Sequence, residues 1–315
     1  MDEFKLGTYI KKRREALGIS QEALCGGLCA VSSLSRIENN QQDPSRSLTM
    51  NLLERLGLPK DRFIALWDSK SISTGALIRE IKNDMIRYRR ASEAVGPQIE
   101  EQVREKLMEL EALAPPNDRT IQQFILAQRA ILGTSGAPYS AEKKIAMQLE
   151  ALRLTYPKFN LEDFRYGHYS TDEFMLINQI AHTCSEAGQR KRAIDVYRQL
   201  LWYVEKNDKE LSEYASKFCL VGHNYAINLV LGKYYADAEE AAERGRKTCI
   251  TSGNYQFLPG FLAIQAECSY FQNRNERSRE LYFQAYYTYK AFEDDINCEI
   301  MRQEIKEYLD IEISE

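Results

Sequence analysis

Leu17-Gly18-Ile19-Ser20-Gln21-Glu22-Ala23-Leu24, with Leu34-Ser35-Arg36-Ile37-Glu38-Asn39 a little further on, decides how this chain begins to fold. Gly18 stands where a helix must stop, because glycine takes the left-handed backbone that ends helices. Ser20 fits an N-cap, its hydroxyl placed to accept from an amide of the following turn. Upstream, Leu6, Tyr9, Ile10, Arg13 and Leu17 recur at helical spacing, so residues 4–17 read as an amphipathic helix. Downstream, Gly26 and Gly27 close a short second helix. A third, over Val31–Glu38, turns Leu34 and Ile37 inward and leaves Val31, Ser32, Ser33, Ser35 and Arg36 on its outer face. Pro44-Ser45 opens a fourth, with Leu48, Leu52, Leu53 and Leu56 on its inner stripe. Gly57-Leu58-Pro59 breaks that helix, and Phe63, Ile64 and Trp67 mark a fifth.

Residues 6–67 resemble the Xre/Cro-type helix-turn-helix domains, on the strength of Leu17-Gly18-Ile19-Ser20-Gln21-Glu22 and Ser35-Arg36-Ile37-Glu38-Asn39. The resemblance implies a five-helix DNA-binding domain over residues 1–68 whose third helix enters the major groove of duplex DNA. Arg36 is then the residue able to donate two hydrogen bonds to guanine, and Val31 the one to touch a thymine methyl. Ser32, Ser33 and Ser35 suit bases or phosphates, while Gln21 and Asn39 suit phosphates, which set register without reading sequence. The family pattern also implies that Arg14 pairs with Glu38 as a structural contact. Two departures stand out: Ala30 where such domains carry a serine or threonine cap, and the Gly26-Gly27 pair in the turn.

Charge is divided unevenly. The chain has a net charge of −4, yet residues 1–67 hold ten Lys/Arg against eight Asp/Glu and the rest is acidic. A basic front and an acidic body suit one end that faces nucleic acid. Hydrophobic residues at 44% and charged residues at 28% describe an ordinary globular composition. No run of eighteen apolar residues occurs, so no membrane span is expected. Met1-Asp2-Glu3-Phe4-Lys5 lacks the layout of a signal peptide, and a cytoplasmic location is the expectation. Seven scattered cysteines agree with a reducing compartment. Cys25 and Cys29 share a helical face but have no nearby partners for zinc, so they read as packing thiols and no metal or cofactor is expected.

Ser69–Gly75, rich in serine and threonine, reads as a hinge, with a second domain over residues 76–315. The basic run Arg79, Lys82, Arg87, Arg89 and Arg90 follows it and reads as a solvated helix face. Nothing beyond residue 75 reads as strand. Breakers at Gly96-Pro97, Pro115-Pro116, Gly133–Pro138, Pro157, Gly188, Gly232, Gly253 and Pro259 bound segments of helical length. Small residues Ala181, Ala226 and Ala266 recur, each answered twelve positions later by Ala193, Ala238 and Ser278. A turn sits between each pair: Gly188-Gln189, Gly232-Lys233 and Asn273-Arg274. Paired helices whose backbones approach closely need that pattern, with Tyr197, Tyr235 and Tyr282 filling the wedges. The unit resembles tetratricopeptide repeats with a longer period, and hence an α-solenoid.

In such a stack the first helix of each pair lines a concave wall. Asn178, Gln179 and His182 are expected there from one pair, His223 and Asn224 from the next, and Glu267 from a third. Asparagine both donates and accepts, which suits an extended peptide backbone. Tyr255 and Phe257 read as packing residues.

An Xre-type front joined to a tetratricopeptide-like body resembles the peptide-pheromone receptors of Gram-positive bacteria, the Rgg, PlcR and PrgX group. That resemblance implies a homodimeric, quorum-sensing transcription regulator that binds a double-stranded DNA operator and a short signalling peptide. The alternative is a helix-turn-helix scaffold governed by a protein partner. Catalysis is not expected, since no GxxxxGK[ST], HExxH or GxSxG motif occurs.

Overall fold

The computed structural model describes residues 5–58, 69–91, 95–134, 137–207 and 213–313. Among these the fold is all-helical, with no strand beyond an isolated bridge between Thr134 and Ala137. The chain forms two compact units, residues 1–180 and 181–315.

The first unit begins with α1 (Leu6–Ala16), α2 (Gln21–Cys25), α3 (Val31–Glu38) and α4 (Arg46–Arg55). Each boundary has a local cause. Gly18 takes φ of 66° after α1, and Ser20 caps α2 by accepting from the Ala23 amide at 3.1 Å. Ser45 caps α4 through the Leu48 amide at 3.3 Å. Ile10, Leu24, Leu34, Leu52, Leu53 and Leu56 are fully buried and make the small core of this module. Leu17, expected on the inner stripe of α1, is instead exposed because it follows the last helical turn. The expected fifth helix around Phe63, Ile64 and Trp67 lies outside the described residues.

α5 (Ser69–Arg90), α6 (Gly96–Leu113), α7 (Arg119–Leu132) and α8 (Ala141–Thr155) follow, each in contact with the next. Leu77, Ile81 and Met85 of α5 bury themselves against Val103, Leu107 and Phe124. Residues 69–75, read from the sequence as a hinge, are the opening turns of this helix. Three of its basic residues are engaged: Lys82 with Asp172, Arg87 with Asp84, and Arg89 with Gln179.

The helix-turn-helix segment is fastened to the helices that follow it within the first unit. Arg55 at the end of α4 donates to the carbonyls of Leu24 and Gly26, both at 2.9 Å, and to Thr155 at 3.3 Å. It also meets the Glu173 carboxylate at 2.7 Å, and neither side chain is exposed to solvent. Glu173 accepts from the Ser170 amide, and Glu54 accepts from the Thr171 amide at 2.6 Å, so two acids of different helices serve the start of α9 (Thr171–Glu186). Ser47 of α4 bonds Asp118, the N-cap of α7. Gly27 has φ of 77° and lies so close to Thr155 that a Cβ there would overlap its carbonyl oxygen. The division at residue 68 therefore separates segments of sequence that pack together.

The second unit contains α10 (Arg190–Asn207), α11 (Tyr214–Leu231), α12 (Tyr235–Ser252), α13 (Leu258–Phe271), α14 (Asn275–Ala291) and α15 (Asp295–Leu309), each packed on the next in order. Ala181, Ala193, Ala226, Ala238, Ala266 and Ser278 are all fully buried, as their repeat predicts. Ser278 also donates to the Ala266 carbonyl at 2.8 Å across its pair. The left-handed turn residues are Gly188, Lys233 and Asn273, so in the middle pair lysine rather than Gly232 takes that conformation. Tyr197 and Tyr282 are buried, and Tyr235 stacks on Phe271 with ring centroids 4.6 Å apart.

Candidate functional site

α3 is an eight-residue helix held from one side and open on the other. Leu34 and Ile37 anchor it in the core, and Glu38 is pinned by Arg14, whose Nε and Nη2 donate to the two carboxylate oxygens at 2.6 and 2.9 Å. Arg14 also donates to the Ile19 carbonyl at 3.0 Å, tying the turn before α2 to the end of α3. Burial alone would raise the Glu38 pKa, but hydrogen bonds from Arg14 and Gln21 hold it below the ordinary carboxylate range. The Glu38 hydrogen bond in turn raises the Arg14 pKa. A fixed ion pair at this place sets the orientation of the helix. The pairing of Arg14 with Glu38 is the one the family resemblance implies.

Val31, Ser32, Arg36 and Asn39 are exposed along the outer side of α3, while Ser33 and Ser35 are half-buried at its edge. An exposed guanidinium beside small hydroxyls and one methyl-bearing side chain has the chemistry to meet base edges and phosphates. Ala30 precedes α3 with no side-chain cap, and the Ser33 and Leu34 amides bond its carbonyl instead. Gln21 departs from expectation. Its amide donates to Glu38 at 2.7 Å, so that group belongs to the internal network around the ion pair.

Asn40 was not singled out by the sequence reading. Its side chain accepts from the Gly7 amide at 3.1 Å and donates to Thr8 at 2.8 Å, closing the start of α1 onto the end of α3. The repeated asparagines at 39 and 40 hide this, since only the left-handed φ of 56° at Asn40 separates their roles.

The six residues expected along a peptide-binding wall have different fates. Asn178 and Gln179 lie in the first unit. Asn178 is only 8% exposed, and Gln179 accepts from Arg89 at 3.1 Å, so neither presents an open amide as expected. In the second unit His182 is half-exposed, 3.7 Å from Glu186 one turn later. His223 is sandwiched between Phe257 and Phe261, with centroids 5.5 and 5.6 Å away, and Gly260 leaves room for its ring. Burial lowers its pKa to about 4, which makes it a neutral packing histidine. Asn224 is half-buried, and its carbonyl accepts from Asn228 at 2.8 Å.

Glu267 is half-buried, and burial raises its pKa. On α15, Glu304 is raised further, to about 7, by burial and then by the charges of Glu267 and Glu307. Tyr282, Tyr289 and Tyr308 surround this region, each with its pKa raised mainly by desolvation. All seven cysteines are free thiols. Among the described residues no cluster of metal-ligating side chains occurs, and no helix is long and apolar enough to cross a membrane.

Residues 10–63 match the helix-turn-helix family model HTH_3. No curated protein sequence matches the chain. Among solved structures, PlcR of Bacillus thuringiensis in complex with the peptide PapR7 and DNA is similar, with a TM-score of 0.58 at 19% identity, over 94% of this chain and 98% of that one. The same protein in its apo form gives 0.55 at 18%, over 96% and 99%. A variant of the SHP pheromone receptor Rgg2 from Streptococcus dysgalactiae gives 0.50 at 15%, again over 96% and 99%. The chain therefore carries a helix-turn-helix domain at residues 10–63 within the all-helical fold that these structures share.

Proposed function

We propose that this protein is a DNA-binding transcription regulator, working as a homodimer, whose tetratricopeptide-like helical pairs respond to a short signalling peptide. The observation that carries the DNA part is the outer face of α3. Val31, Ser32 and Arg36 stand exposed on a helix whose opposite side is fixed by Leu34, Ile37 and the Arg14–Glu38 pair. Such a helix reads bases with its exposed side chains while the flanking structure sets its angle in the groove. The peptide part is supported by the likeness in fold to PlcR, whose structure was solved with both a peptide and DNA. Of the expected wall residues His182 is exposed, Gln179, His223, Asn224 and Glu267 are half-buried, and Asn178 alone is buried. On this reading the peptide acts by binding one arrangement of the dimer more tightly than another.

The test is operator selection from a random duplex library with the full chain, followed by footprinting of Arg36→Ala on the selected site. The variant is expected to lose preference at one or two base pairs, at about 1–3 kcal/mol for the lost bidentate contact, while retaining salt-dependent affinity. Unchanged selectivity in Arg36→Ala would remove α3 as the reader. A full chain that selects no sequence at all would remove the regulator reading itself.

A further inference from the structure

The first unit holds a cavity of about 430 Å³ that contains none of the residues expected to meet DNA or peptide. It lies where α4, α5 and α7 converge. Its apolar wall is Met50, Ile78, Ile121 and Phe124, and its cations are Arg79 and Lys82. A volume of that size, an apolar wall and a few placed polar groups are the properties of small-molecule sites.

The charged group left without a partner among the described residues decides what it takes. Three carboxylates also line the cavity, but each already accepts from a neighbour. Glu54 accepts from the Thr171 amide at 2.6 Å, and Asp118 accepts from the Thr120 and Ile121 amides at 3.1 and 3.2 Å as well as from Ser47. Asp172 receives Lys82 at 2.6 Å, and that ammonium lies 5.6 Å from the centre of the Phe124 ring. Arg79 is different: it is exposed at the cavity and has no carboxylate partner among the described residues. A guanidinium fork beside an ammonium recognises a carboxylate at one end of a molecule whose remainder is apolar. We propose that this cavity binds a small amphiphilic carboxylate, its acid on Arg79 and Lys82 and its apolar body against Met50, Ile78, Ile121 and Phe124. Such an occupant joins α4 of the reader segment to α5 and α7, giving the protein a small-molecule input separate from any peptide.

Isothermal titration of the full chain with phenylalkanoates from phenylacetate to 6-phenylhexanoate, each beside its matching alcohol and amine, tests this. At least one acid should bind saturably, about tenfold or more tighter than its alcohol and amine, and raise the melting temperature. Arg79→Ala, at an exposed position, should weaken that acid by about tenfold or more, and Ile78→Trp should abolish binding by filling the cavity. An alcohol or amine that binds as tightly as its acid overturns the proposal. So does an acid indifferent to both substitutions, or a series in which no acid binds.

Discussion

Arg55 and Glu173, 118 residues apart, form a solvent-free ion pair at 2.7 Å that fastens the end of α4 to the start of α9. Removing one member of such a pair leaves a buried charge without compensation, at a cost of about 3–5 kcal/mol. Arg55→Met and Glu173→Gln should each lower the unfolding free energy of the first unit by that amount, read from urea denaturation. The double variant Arg55→Met/Glu173→Leu should recover only part, because the carbonyls of Leu24, Gly26 and Thr155 still lose their donor. Denaturation curves that match wild type for either single variant would show that the pair contributes nothing to stability.

Two glycines with left-handed backbones should respond differently to the same change. Gly18→Ala meets open space and bears only the conformational cost, about 1–2 kcal/mol. Gly27→Ala drives a methyl group into the Thr155 carbonyl, and a loss of about 3 kcal/mol or more is expected. Thermal melts of the two variants side by side decide it; equal losses would mean that the approach of Gly27 to Thr155 is not maintained in solution.

Asn178→Ala is expected to act on stability rather than on ligand response alone. A buried amide at 8% exposure is costly to remove, about 1–3 kcal/mol, whereas His182→Ala at a half-exposed site should stay within about 0.5 kcal/mol of wild type. Chemical unfolding of both separates the roles. A neutral Asn178→Ala would restore it as a surface contact.

Glu304 makes the second unit sensitive to pH. Its folded pKa of about 7 lies above the ordinary 4.5, so the fold holds a proton that the unfolded chain releases. The stability it lends is full below about 4.5, falls as pH rises towards 7, and is level above that. Glu304→Gln should remove this fall and leave the variant more stable at pH 8, by an amount on the order of 3 kcal/mol at most. Urea midpoints at pH 5 and pH 8 test the sign, and parallel behaviour of variant and wild type would refute it.

Much of this was readable in residue order. The limits of α3 follow from the spacing of Leu34 and Ile37, and the buried small residues from their twelve-residue recurrence. Arg55 was missed, although it falls on the buried stripe of α4 beside Leu52 and Leu56. A charge in that phase announces a buried partner, but no local rule points to Glu173. The wall residues went astray for a related reason. Periodicity says which face a side chain occupies, not what covers that face, and Arg89 and Phe257 cover Gln179 and His223. Serines at residues 69–75 suggested a hinge on composition, yet the stripe Thr74, Leu77, Ile81, Met85 continues the helix, and packing outweighs propensity.

That continuity makes length upstream of Leu77 equivalent to angle. One residue inserted in the opening turns of α5 would swing the helical residues ahead of it through about 100° and advance them by about 1.5 Å, while seven would return them almost to phase. A segment of this kind tolerates change only in whole screw steps, so the count of residues there should be guarded more strictly than their identity.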